Sequence, residues 1–415
     1  MRDSILYGCF FISLIAFIGG CASRKQLAKT NLAFRYDVSF PIEEQHVVID
    51  REDDLDVYIQ LNFKKLGDLI NPRSIWDKYA ISYTVADSYS KKLPRKLDSL
   101  GLENRVSPSG NPLTLFLKIS KSGARNQLLI ISVKDRVTND EYLFDIPVHY
   151  KQSAQSQALA LFEVNEKIPI YRSFILNGDS VVLRNFGKRS DTAYCQFHLF
   201  NSSVALPPMS AMSTSGHDFD SFDKMAIPLH KLLVFRQSGY YFFPPVNSEQ
   251  VGFGFMVIDP TYPRVTQPID LIDPMIYIST REERKKMLEA FNKKVALDQF
   301  WLKVNNQKDE ARKVIKAYFE NIEAANQLFS GHKSGWRTDR GMVLSIYGPP
   351  ELVYRNWDSE TWQYPKSVRT ENPIFYFNRK VLANGVRVWE MKRFEEYDRI
   401  WYSRVELWRK GIINP

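Results

Sequence analysis

Between about Phe34 and Tyr150 apolar residues recur at every second position. The run DLDVYIQLNF puts Leu55, Val57, Ile59, Leu61 and Phe63 on one face, and LTLFLKISK, QLLIISVKD and EYLFDIPVHY continue the alternation with turn residues between them. A period of two marks strands with one buried side, so this block predicts a β-sandwich over residues 34–150. A second strand-rich block contains SVVLRNF, AYCQFHLF, LLVFRQSGYYFF and VGFGFMVID, interrupted by the Pro/Ser/Met-rich loop ALPPMSAMSTSGHD. It predicts a second β-sandwich over residues 158–279, with the boundary at Lys151–Gln157.

The period changes at Thr280. In TREERKKMLEAF, Thr280 is placed to cap a helix and Glu283 to close a capping box, and Met287, Leu288, Phe291 and Val295 then follow one helical face. A second helix from Asp309 to Phe329 carries Ile315, Tyr318, Phe319, Ile322 and Phe329 at spacings of three and four. Beyond it, ETWQYP, NPIFYFNRKV and GVRVWEM read as a small meander, with MVLSIY before them open between helix and strand. The tail sets Phe394, Tyr397, Trp401, Val405 and Trp408 on one helical stripe. Its default reading is a terminal helix that closes the domain. The alternative makes Tyr397, Trp401 and Trp408 an interaction surface. The predicted fold class is multi-domain: two β-sandwich domains, then a C-terminal α+β domain over residues 280–415 with a helical pair, a small β-meander and a terminal helix.

Residues 1–20 have a different character. Arg2 precedes the apolar run ILYGCFFISLIAFIGG, and Cys21 follows. This is the layout of an export signal. FIGGC resembles a bacterial lipobox, which implies a diacylglycerol on the Cys21 thiol, cleavage before it, and residues 21–33 as a linker to the first sandwich. An uncleaved signal anchor is the alternative, against which the apolar run is short for a spanning helix. ASRKQLAKT after Cys21 has neither an acidic cluster nor an Asp next to the cysteine, so the periplasmic face of the outer membrane is the expected location. With Cys9 in the signal and Cys21 in the lipid, Cys195 is left without an internal disulfide partner and reads as a small buried hydrophobe.

The remaining composition is that of a globular chain, 44% hydrophobic and 25% charged over 415 residues, long enough for two to four domains. The net charge of +9 favours anionic surfaces. In an exported protein these are lipid headgroups or acidic glycans, and nucleic acid is not an expected partner.

The stretch GHKSGWRTDRGMVLSIYGPPELVYRN concentrates the unusual residues. GWRTDRG, from Gly335 to Gly341, with YGPPELV behind it and a helix before it, resembles the GWxTD domain of bacterial envelope proteins over about Thr280 to Pro415. The resemblance implies an envelope setting and brings no catalytic residue with it. The order of a helical pair, Gly348-Pro349-Pro350, Trp362 with Tyr364, and Phe375 with Phe377 is also similar to small outer-membrane lipoprotein domains of the SmpA/OmlA type, which support β-barrel assembly.

Two readings of the motif compete. As chemistry, Asp339 and Arg340 would be an acid and its positioning guanidinium, with His332 as a base. As framework, Thr338 and Asp339 hydrogen-bond amides in a turn, Gly335 and Gly341 permit a tight backbone, Trp336 fills the core, and Gly348, Pro349 and Pro350 make a second turn. The framework accounts for more of the residues, because chemistry gives no reason for Trp and Gly at fixed offsets. Trp362 and Tyr364 are expected to pack against the organising turn. No catalytic residue, metal site or cofactor is predicted: the chain has no HExxH and no Gly-x-Ser-x-Gly, and His46, His149, His198, His217, His230 and His332 are scattered. Glu43 with Glu44, and Asp53 with Asp54, read as solvated loop charges. The expected function is binding or scaffolding in an envelope assembly serving export or outer-membrane protein biogenesis. The alternative is a protein that binds or processes glycan of the cell wall or surface, motivated by the aromatic residues near Trp357 and Trp362.

Overall fold

The computed structural model describes residues 25–413 apart from 52, 67–70, 95, 108–109, 122–125, 150–157, 165–166, 188–189, 201–202, 212–221, 246–250, 305–306 and 367–371. The predicted signal peptide, Cys21 and the Lys151–Gln157 boundary lie outside the described residues.

The first block forms two facing sheets. One has the order β1-β2-β5, from β1 (Ile42–Asp50), β2 (Asp54–Phe63) and β5 (Leu113–Ser120). The other has the order β4-β3-β6-β7, from β3 (Tyr79–Ala86), which follows the short helix α1 (Pro72–Lys78), with β4 (Asp98–Ser99), β6 (Asn126–Asp135) and β7 (Glu141–His149). Leu55, Val57, Ile59, Leu61 and Phe63 point inward, as the alternation predicts. β6 is buried on both sides. Leu129, Ile131 and Val133 face the sandwich core, while Leu128 and Ile130 pack against the C-terminal part. Two covered faces explain why its sequence is a nearly continuous apolar run.

The second block also has two sheets. Strands β8 (Leu159–Phe162), β9 (Phe174–Leu176), β10 (Ser180–Asn185), β11 (Thr192–His198), β12 (Asp223–Pro228), β13 (Leu232–Val234), β14 (Gly239–Phe243) and β15 (Phe253–Ile258) give the orders β13-β10-β8 and β12-β11-β14-β15-β9. All five residues of β14, GYYFF, are buried. Tyr241 and Phe243 fill the space between the sheets, and Tyr240 and Phe242 meet Leu382 and Val386 from the C-terminal meander.

In the C-terminal part, α2 (Pro268–Ile272), α3 (Arg281–Glu289), α4 (Lys293–Val304), α5 (Lys308–Phe329), α6 (Asp339–Tyr347) and α7 (Tyr397–Arg409) accompany one antiparallel sheet. The sheet runs in sequence order through β16 (Leu352–Arg355), β17 (Ser359–Gln363), β18 (Ile374–Val381) and β19 (Arg387–Met391). Tyr318, Ile322, Phe329, Trp362, Phe375, Phe377, Trp401 and Trp408 meet in its core.

Three expectations are corrected. The helix expected to run from Thr280 through Val295 is two helices. The Thr280–Glu283 capping box forms, but Ala290 is extended at φ −62°, ψ 137°, and Asn292 Oδ1 accepts the Val295 N–H (3.1 Å) to start α4. Phe291 and Val295 are therefore exposed instead of lining a core face. MVLSIY is helical within α6, and the meander gains a fourth strand, β16. Residues 25–33, read as part of a linker, are docked: Leu27, Leu32 and Ala33 are buried in the C-terminal core. Leu32 donates to the Val353 carbonyl (2.9 Å), and the Asn31 side chain accepts from Val353 N–H (2.9 Å) and donates to the Glu351 carbonyl (2.9 Å). The segment covers the free edge of β16, which would otherwise leave unpaired backbone groups.

Candidate functional site

The Gly-Trp-Arg-Thr-Asp-Arg-Gly stretch turns from α5 into α6. Gly335 to Arg337 form one 3-10 turn, and Thr338 caps α6: its Oγ1 accepts the Gly341 N–H (3.1 Å) and donates to the Gly335 carbonyl (2.7 Å). Both glycines are sterically required. A Cβ on Gly335 would lie 1.9 Å from the Ala325 carbonyl oxygen, and one on Gly341 would lie 1.9 Å from the Gly335 carbonyl oxygen. Side chains at either position would force the turn off the helix. Trp336 is buried, its ring edge-on to Tyr277 (5.9 Å between centroids), and its carbonyl accepts the Tyr277 hydroxyl (3.0 Å). Arg337 lies over the indole at 4.3 Å and pairs with Asp273 (2.7 Å).

Asp339 and Arg340 do not form the acid and guanidinium pair considered from sequence. Asp339 is buried; its Oδ2 accepts the Met391 N–H (2.7 Å) and its Oδ1 accepts from Arg393 (2.6 Å). It thereby ties the start of α6 to the end of β19. Arg393 also donates to the Leu206 carbonyl (3.3 Å), and Ala205 N–H donates to the Arg337 carbonyl (2.9 Å), so the Pro-rich loop of the second block is strapped over the turn. Arg340 turns the other way, between the rings of Phe329 (4.7 Å) and Trp389 (4.8 Å), and reaches Glu360 (3.4 Å). At the far end of α6, Gly348 adopts φ 75°, which relieves the left-handed strain another residue would carry. Pro349 and Pro350 lead out from it, and the Gly348 carbonyl accepts the Tyr364 hydroxyl (2.9 Å). Tyr364 thus serves the second turn, and Trp362 packs on Phe329, Tyr36 and Phe377.

Glu360 belongs to a buried ionic cluster that the sequence did not reveal. Glu44 on β1, Asp145 on β7 and Glu360 on β17 each have a fully buried carboxylate. Arg35 pairs with Glu44 (2.7 Å) and approaches Asp145 (3.7 Å), Arg355 joins Asp145 (2.8 Å) to Glu360 (2.9 Å), and Arg340 completes the row. Tyr36 donates to Glu360 (2.7 Å), Trp362 donates to it (3.0 Å), and Tyr89 donates to Asp145 (2.7 Å). Burial alone would raise the Asp145 carboxyl, but Arg355, Arg35 and the Tyr89 hydroxyl outweigh it and hold it well below the usual range. The same contest, with Arg355 and Arg340 as the cations, holds Glu360 down. Glu44, expected as a solvated charge, is instead kept ionised inside the protein: burial is outweighed by His46 (2.8 Å) and Arg35. Burial also pushes the Tyr36 hydroxyl up to about 12, so it remains a donor. A signal was present: Asp145 falls among apolar residues in LFDIPV, and Glu360 shares a strand face with Trp362.

The aromatic tail is corrected as an interaction surface. Tyr397, Trp401 and Trp408 are buried, and the Trp408 indole donates to the Ile346 carbonyl (2.8 Å) because α7 closes the core over α6. Cys195 is buried in the second sandwich, and burial raises its thiol to about 11. Among the described residues, no three His, Cys, Asp or Glu side chains come together as metal ligands, and no helix is long and apolar enough to cross a membrane.

The fold and this turn define a β-rich multi-domain protein that ends in an α+β domain organised by a Gly-Trp-x-Thr-Asp corner. Residues 239–410 match the GWxTD domain family, and the chain carries a GWxTD domain in its C-terminal part. The match starts at Gly239 in β14, upstream of Thr280, and so includes strands whose outer face is covered by the meander. No curated protein and no solved structure matches the chain.

Proposed function

We propose that the protein is a binding or scaffolding component of an envelope assembly, held by a lipid on Cys21 at the periplasmic face of the outer membrane. The observation that carries this reading is how the motif's groups are used: Thr338, Asp339, Arg340, Gly335 and Gly341 all hold backbone segments or neighbouring strands together. The buried row of three carboxylates and three arginines supports the same view, since it couples the first sandwich to the GWxTD domain in a fixed relation. A rigid display body suits a scaffold. The FIGGC stretch supports the anchor, and the order of helices, Gly-Pro turn and aromatic strands motivates a role in export or outer-membrane protein biogenesis.

Co-isolation of the full chain from membranes in mild detergent, with bound proteins identified by mass spectrometry, tests the proposal. A reproducible set of envelope proteins is expected. Their absence would move the reading to glycan binding, which one observation favours independently: a cationic cleft beside the motif.

A further inference from the structure

The two sandwiches and the GWxTD domain meet around a cleft of about 590 Å³, within the range in which small ligands are enclosed. Its wall carries four cations, Arg172, Lys333, Arg340 and Arg387, against two carboxylates, Asp339 and Glu390. The charges just outside the wall cancel one another: Asp339 is matched by Arg393 (2.6 Å) and Glu390 by Lys380 (3.4 Å), while Arg172 is matched by Asp179 (2.7 Å) and Arg340 by Glu360 (3.4 Å), so the excess of cations on the wall stands. The field in the cleft is therefore positive.

Arg387 is the informative residue. It is half-buried on β19, and its Nε has no hydrogen-bond partner among the described groups. Burial, joined by the Arg379 guanidinium, lowers its pKa to about 10, and the counteracting Asp358 is itself held by Arg379. Like charge and lost hydration at a guanidinium are relieved by an incoming anion that accepts two of its hydrogen bonds. Two residues along the same strand face, Trp389 supplies an aromatic ring beside Arg340. A ring next to a guanidinium suits a ligand with a flat or carbon-hydrogen-bearing face as well as a negative group.

We propose that this junction cleft binds an acidic saccharide, with Arg387 taking its carboxylate or phosphate and Trp389 facing the sugar ring. The inference goes beyond the scaffold reading and does not depend on membrane attachment. Isothermal titration of the full chain in mild detergent with tetragalacturonate, mannose 6-phosphate and neutral maltotetraose tests it. Saturable 1:1 binding of at least one acidic sugar is expected, at least ~10-fold tighter than the neutral one and weakened by salt. The two acidic arms tell carboxylate from phosphate. Arg387→Met should weaken binding by ~10-fold or more, and Arg387→Lys by less, because a lysine keeps the charge without the bidentate fork. Arg172→Met, on an exposed side chain, keeps the test decisive if Arg387→Met does not fold, and should also weaken binding. The Cys21→Ser protein should bind like wild type, so failure of the anchor and failure of the cleft are read separately. Absence of acidic-sugar binding, equal binding of maltotetraose, or wild-type affinity in the folded arginine variants would overturn the proposal.

Discussion

Gly341→Ala separates the architectural account of the motif from any account in which the glycine is incidental. Gly341 lies in the first turn of α6, where alanine is ordinarily the better residue by about 1 kcal/mol. Here the added Cβ would meet the Gly335 carbonyl oxygen at 1.9 Å, with the Gly335 carbonyl carbon at 2.7 Å and Trp336 Cα at 2.9 Å. Ordinary contacts start near 3.4 Å, so the 3-10 turn must retreat by about 1.5 Å. That retreat would draw Trp336 from its pocket and stretch the Thr338 bridge to the Gly335 carbonyl. Overpacking of this kind costs roughly 1–3 kcal/mol, and rigid backbone on the receiving side places it at the upper end. Set against the helix gain, the net loss should be about 2 kcal/mol. The assay is urea unfolding followed by tryptophan fluorescence, with Gly331→Ala as the control. A Cβ on Gly331 meets nothing within 4 Å, so that variant should stay within ~0.5 kcal/mol of wild type. A Gly341→Ala midpoint at or above the wild-type value would refute the steric argument.

Other substitutions probe different parts of the account. Trp336→Ala should cost about 3–5 kcal/mol by opening a cavity under the α5–α6 corner, and a cost below ~1 kcal/mol would show that the indole is not a core residue. Arg355→Met leaves Asp145 and Glu360 buried with fewer partners and should destabilise by about 3–5 kcal/mol, measured by the same unfolding; a neutral result would count against the ionic cluster as a coupling between domains. Acid should also destabilise the fold. Hydrogen bonding to Arg409 lowers the Glu283 carboxyl from 4.5 to about 2, and Glu44, Asp145 and Glu360 shift the same way. A depressed folded pKa contributes stability that is complete above the unfolded value and is lost as pH falls through the folded one. Melting temperature should therefore hold down to about pH 5 and fall below about pH 4.5, and a rise in that window would contradict the assignment. For the anchor, Cys21→Ser should move the protein from the membrane to the soluble periplasmic fraction, and continued membrane residence would count against lipidation.

How much of this was legible depended on whether a contact is local. The strands were readable because alternation such as that of Leu55 to Phe63 is enforced by one buried face. The Thr280–Glu283 box was readable because both partners lie within one helical turn. The break at Ala290 was harder: the apolar residues Phe291 and Val295 continue a helical spacing, and the Asn292 cap that restarts the helix competes weakly against it on inspection. Contacts between distant segments were invisible. Asp339 meets Arg393 across 54 positions, and Arg355 meets Asp145 across 210. Nothing in IEEQHVV indicates that Glu44 will be buried and paired with Arg35. Residues 25–33 looked like a linker because the apolar side chains they bury, Leu27, Leu32 and Ala33, do not recur at a helical or strand spacing, and the bonds from Leu32 and Asn31 to the edge of β16 join segments more than 300 positions apart.

The account rests on the claim that the Gly-Trp-x-Thr-Asp corner acts by holding strands and helices in place. Hydrogen–deuterium exchange of Asp339→Asn against wild type tests it most directly, because the wild-type carboxylate holds both the Met391 amide and Arg393. Faster exchange across residues 387–393 and in α6, together with lower stability, is the predicted result. Unchanged exchange and stability in that variant would contradict the claim and return Asp339 to the list of residues that could act on a ligand.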